Sequence, residues 1–118
     1  MTRVPSLGYE KMPISPNEKI ALKELQANLQ NNYGLVDFKL YGSKSKGTDQ
    51  PESDLDVMII LENLSPEIES EIDDIIFEIN LKYDCLITSL YFSRREIEYG
   101  ALSESPIYKK IKQEGVTL

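Results

Sequence analysis

The run Asp54-Leu55-Asp56-Val57-Met58-Ile59-Ile60-Leu61 constrains this chain more than any other segment. Its apolar part, Val57 to Leu61, is short and rich in aliphatic residues, the pattern of a buried strand. Two acids open it at i and i+2, and residues two apart on a strand face the same way. Asp54 and Asp56 should therefore project together from the strand's mouth. Carboxylates roughly 5 Å apart repel by about 3 kcal/mol at an effective dielectric near 20. A divalent cation between them reverses that sign. Upstream lies Tyr41-Gly42-Ser43-Lys44-Ser45-Lys46-Gly47, a small hydroxyl-bearing turn flanked by glycines. There Gly42 lets backbone amides approach a phosphate, and the Ser43 hydroxyl can donate to a phosphate oxygen. Lys44 and Lys46 are the cations of the loop; one is available to neutralise phosphate charge while the other reads as a solvated loop lysine, and the sequence does not choose between them. The economical reading is a magnesium site beside a phosphate-binding turn.

Composition narrows the chemistry. The chain of 118 residues contains no histidine, which excludes Ser-His-Asp and Cys-His catalysis and the usual zinc sites. A metal must then be held by oxygen, which favours magnesium or manganese. The single cysteine, Cys85, sits in an apolar run without a base to activate it, and reads as a small buried hydrophobe. It cannot form an internal disulfide, so a reducing cytoplasm is expected. A net charge of −7 argues against a polymerase-like grip on duplex nucleic acid, which rests on phosphate neutralisation by Lys and Arg. Gly42-x4-Gly47 is followed by Thr48, with no lysine where a P-loop requires one. A membrane span needs about 20 apolar residues, and no run approaches that; the first residues lack the apolar stretch of a signal peptide.

Residues 1–13 read as an N-terminal arm and 14–118 as one domain. Ser15-Pro16-Asn17-Glu18 combines an N-cap, a first-position proline and a capping-box glutamate. A helix is expected from Pro16 to about Asn32, with Ile20, Leu22, Leu25 and Leu29 inward and Gly34 stopping it. Leu35–Tyr41 should be a strand with Val36, Phe38 and Leu40 on one face. A loop then leads to the Asp54–Leu61 strand. Ser65-Pro66 starts a second helix to about Lys82, with an isoleucine stripe at 68, 72, 75, 76 and 79. Its opposite face is acidic and reads as solvated surface. A third strand is expected from Asp84 to Phe92, then a short helix capped by Ser93 and a last one capped by Ser105. The fold class is α/β (α+β): a small mixed β-sheet packed on one side by helices.

The Gly42-Ser43 pair, ten intervening residues and Asp54-Leu55-Asp56 together resemble the nucleotidyltransferase superfamily typified by DNA polymerase beta. Lys44, Ser45, Lys46, Gly47 and Ser53 are similar to the wording of its minimal, single-domain branch. Weaker similarity continues through Asp84 and from Ser105-Pro106-Ile107-Tyr108 to Gly115. The resemblance implies the nucleotidyltransferase fold, ATP as substrate, and two magnesium ions bridged by Asp54 and Asp56, with manganese an alternative. It also implies a third carboxylate from a neighbouring strand. Asp84, at the start of the third expected strand, is the candidate; an acid capping the turn after the second helix is the structural alternative. Asp73 and Asp74 lie on that helix and fit less well.

Minimal members of the family serve mostly as antitoxins beside a helical HEPN ribonuclease toxin, to which they transfer AMP on a tyrosine. By resemblance, this is the leading expectation. A bare catalytic core leaves its acceptor side open, to be covered by a partner protein or a second copy in a homo-oligomer. The second reading is a non-catalytic antitoxin that acts by binding alone. The third is an antibiotic-type nucleotidyltransferase acting on a small molecule.

Overall fold

The computed structural model describes residues 14–42 and 54–118. Its elements run α1 (Pro16–Asn32), β1 (Leu35–Tyr41), β2 (Leu55–Leu61), α2 (Pro66–Tyr83), β3 (Ile87–Ser93) and α3 (Arg94–Tyr99). A 3₁₀ turn at Ala101–Glu104, α4 (Pro106–Glu114) and a two-residue β4 (Val116–Thr117) complete them. The sheet order is β3-β2-β1-β4; β1 lies antiparallel to both β2 and β4, whereas β2 and β3 are parallel. The expected small mixed sheet packed by helices is the fold observed.

Local chemistry sets the helix starts. Ser15 and Ser93 each form the full capping box, with Glu18 and Glu96 respectively, and the Ser65 hydroxyl accepts from the Ile68 amide. Ser105 occupies the N-cap of α4 without a side-chain bond, so Pro106 at the first helical position marks that start. On α1, Ala21, Leu22, Leu25 and Leu29 are buried. Ile20, expected inward, is half exposed because Ala21 and Leu22 hold the i−4 and i−3 places before Leu25. On α2 the isoleucine stripe packs as expected, with Ile72, Ile76 and Ile79 buried.

Strand β2 lies at the centre, flanked by β1 and β3. Leu55, Val57, Ile59 and Leu61 face a core built with α1 and α2. Met58 and Ile60 join Phe92, Tyr108 and Ile111 in a second cluster on the other face. This corrects the one-sided packing expected from the sequence. An unbroken apolar run places side chains on both faces of a strand, so both must be covered. The β1 pattern is corrected as well: a register shift between Leu35 and Asp37 sends Val36 to the second cluster, away from Phe38 and Leu40. The third strand begins at Ile87, three residues later than expected, because α2 runs on to Tyr83 and the turn that Asn80 closes takes residues 84–86.

The side chain of Asn80 closes the turn from α2 to β3. Its Oδ1 accepts from the Ile87 amide at 2.8 Å and its Nδ2 donates to the Ile87 carbonyl at 3.2 Å. The Asn80 carbonyl accepts from the Cys85 amide. Nearby, the Cys85 thiol is raised above its usual range, first by burial, consistent with an unreactive thiol. Tyr91 on β3 donates to Asp73 at 2.6 Å, tying α2 to the sheet, and Tyr83 donates to Glu24 at 2.7 Å, tying α2 to α1. No helix of the described residues is long and apolar enough to cross a membrane.

Two stability predictions follow from these contacts. Asn80→Ala leaves the Ile87 backbone groups unpaired and should cost about 1–3 kcal/mol in urea unfolding. Burial, then the bond to Asp73, raises the Tyr91 phenol above its ordinary value. A raised folded pKa means that its stabilisation is complete below the unfolded phenol value of about 10 and is lost as pH climbs through the folded one. Unfolding curves should therefore show wild-type stability falling above pH ~10, and Tyr91→Phe should fall less steeply.

Candidate functional site

The two acids at the mouth of β2 flank Leu55, which is fully buried. Asp54 immediately precedes the strand; Asp56 is its second residue, on the face opposite Leu55. Both remain partly accessible. The backbone is anchored there by the Leu55 amide, which donates to the Leu86 carbonyl at 2.8 Å.

Asp56 is enclosed by its neighbours in the sheet. Across the antiparallel pair it stands opposite Tyr41, and across the parallel pair opposite Thr88. The Thr88 hydroxyl donates to Asp56 Oδ1 at 2.7 Å. Burial, then the Asp56 charge, raises the Tyr41 phenol above its ordinary value, so that ring stays neutral beside the carboxylate. Gly42 follows β1 with φ +79°, and a Cβ built on it would lie 2.5 Å from Asp56 Oδ2. Glycine is thus required twice, by the left-handed backbone and by the carboxylate that fills the space of a side chain.

Ser43, Lys44 and Lys46, expected to hold phosphate, lie outside the described residues, as do Ser45, Gly47 and Ser53. Asp84 differs from the expectation. It is the exposed C-cap of α2, in the left-handed conformation at φ 51° and ψ 53°, and its amide donates to the Asn80 carbonyl. The physical reason is that α2 runs one residue further, to Tyr83, which makes Asp84 the residue that ends it; aspartate tolerates that conformation better than most. Among the described residues no three His, Cys, Asp or Glu side chains gather into a metal-binding group. The position beside Asp56 on the neighbouring strand belongs to Thr88.

The fit to a divalent cation rests on these features. The donors are oxygen only, suiting magnesium or manganese. Asp56 has one oxygen engaged by Thr88 and the other beside the Gly42 backbone, where a side chain is missing. The described residues therefore offer two carboxylates, Asp54 and Asp56. A cleft of about 610 Å³ lies elsewhere, at the far end of β2 and β3, lined by Glu62, Arg94, Arg95, Glu98 and Tyr99. Its Arg94 is paired with Glu62 at 3.0 Å.

Sequence reasoning missed Thr88 and the part Gly42 plays against Asp56. A threonine early in an apolar strand is ordinary, and only the register with β2 brings it to the carboxylate.

Comparisons with known proteins bear on the family and the fold. The family model for the nucleotidyltransferase domain matches residues 19–116. Among solved structures, the chain is similar to a chain of a mutant form of the toxin–antitoxin complex MntA–HpeT, with a TM-score of 0.56 and 17% identity. That likeness covers 81% of this chain and 69% of the other, and at this identity it shows the fold. No curated protein sequence matches.

Gly42→Ala should destabilise the protein by about 1–2 kcal/mol, the cost of a left-handed conformation at a residue with a Cβ. Chemical denaturation measures it, and a loss of divalent-cation affinity should accompany it as Asp56 is displaced.

Proposed function

The chain belongs to the nucleotidyltransferase domain family, and from that premise we propose that it transfers AMP from ATP to a tyrosine hydroxyl of a HEPN-type toxin, acting as its antitoxin. The observation that carries the transferase part is the pair Asp54 and Asp56 at the mouth of the central strand, with Asp56 lodged against Gly42. The antitoxin part draws support from the likeness to a chain of a toxin–antitoxin complex.

In this reading Asp54 and Asp56 hold magnesium, with manganese able to replace it. Bound divalent ions neutralise triphosphate charge and align the attacking and leaving oxygens. Gly42 brings the backbone close to the phosphates, and Ser43, Lys44 and Lys46 bind them. Asp84 is not carried into the donor set, because it caps a helix and joins no cluster of three ligands among the described residues. The protein works in the cytoplasm, and its partner toxin covers the open acceptor side.

A second reading, an antitoxin that neutralises by binding alone, is favoured by one observation: the described residues supply two carboxylates and no third. One experiment separates the two. Purified protein is incubated with magnesium, α-labelled ATP and the partner toxin, beside an Asp54→Asn/Asp56→Asn variant. The catalytic reading expects a labelled toxin band, reduced by at least about 10²-fold in the variant. An unlabelled toxin that both proteins neutralise equally establishes binding alone.

A further inference from the structure

The sheet brings together three residues that lie far apart in sequence: Tyr41 on β1, Asp56 on β2 and Thr88 on β3. We propose that Thr88 is the positioning residue of this site, its hydroxyl fixing the Asp56 carboxylate so that one oxygen is set toward a divalent cation. The inference rests on the cation reading of Asp54 and Asp56 given above.

An aspartate carboxylate turns broadly about its last torsion, so a lone Asp56 would present its oxygens in many orientations. Thr88 removes that freedom. Its hydroxyl donates to Asp56 Oδ1 at 2.7 Å, within the range of a strong charge-assisted bond. Threonine is branched at Cβ and stiff on a strand, so the donor itself is held. Its place is set by the parallel register, in which Thr88 stands directly opposite Asp56. That register is secured at both sides, by the Asn80 clasp on Ile87 and by the bond from the Leu55 amide to the Leu86 carbonyl.

The remaining oxygen, Oδ2, faces the Gly42 backbone. The hydroxyl of Thr88 orients the carboxylate without bringing a positive charge that would compete with a cation. Hydrogen bonds of this kind to a metal-binding carboxylate typically change metal affinity by about 10–100-fold.

The test is binding of Mn2+ alone to the full chain, followed by electron paramagnetic resonance. Wild type is compared with Thr88→Val, Thr88→Ala, Thr88→Ser and Asp56→Asn. Valine keeps the branched shape and removes the hydroxyl; alanine does so with no added bulk, should valine disturb folding. Serine keeps the hydroxyl. The expected result is Mn2+ affinity weakened by about tenfold or more in the valine and alanine variants, and restored by serine. The thermal transition in chelator should stay near that of wild type in the variants compared. In the transfer assay, the magnesium concentration at half-maximal rate should rise in Thr88→Val more than the saturated rate falls.

If wild type binds Mn2+, Asp56→Asn loses it, and the valine and alanine variants bind as wild type does, the role of Thr88 is overturned and the cation site stands. Equal weakening in the serine variant also overturns it, since packing rather than the hydroxyl would then matter. If wild type binds no Mn2+, the cation reading falls and this inference falls with it.

Discussion

A carboxylate resists burial in an apolar sheet, and β2 carries two at the point where its buried run begins. The rest of the architecture depends on that boundary. From Val57 to Leu61 every side chain is buried, so the strand has to be central, flanked by β1 and β3 and covered on both faces. Asp54 and Asp56 then have only the sheet's mouth to occupy, where water, a neighbouring hydroxyl or a cation can meet their charge. Stability and site are two consequences of one alternation between apolar and acidic residues.

The surroundings of Asp56 show how little extra material is needed. One residue comes from each neighbouring strand, and the glycine that ends β1 leaves the space that its second oxygen faces. Antiparallel and parallel pairing contribute differently. The antiparallel β1–β2 pair brings Gly42, just past the end of β1, beside Asp56, while the parallel β2–β3 pair requires a crossover, supplied by α2. The length of that helix decides which residue of the following segment meets Asp56. Because α2 extends to Tyr83, Asp84 is spent on ending it and Thr88 arrives opposite the carboxylate.

Charge elsewhere is used for fastening rather than chemistry. The acidic side of α2, which reads as solvated surface, lends Asp73 to Tyr91 and Glu71 to Tyr33. Glu24 of α1 serves both Lys82 and Tyr83, and its carboxyl is held below the usual range chiefly by the Tyr83 bond. These contacts are largely exposed and each contributes little alone. They tie helices to one another and to the sheet on the side away from Asp56.

Taken by itself, the sequence determined the order of elements, the capping boxes at Ser15 and Ser93, the isoleucine stripe of α2, and the acids at the mouth of a buried strand. Those features are local: periods of two or 3.6 residues and cap chemistry act within a few residues along the chain. Tertiary structure alone decided the shift that turns Val36 to the second cluster and the meeting of Thr88 with Asp56. It also decided that β4 closes the sheet edge at β1. Each depends on register between segments distant in sequence. A slip of one residue exchanges the two faces of a strand, and no local pattern in this chain reports such a slip.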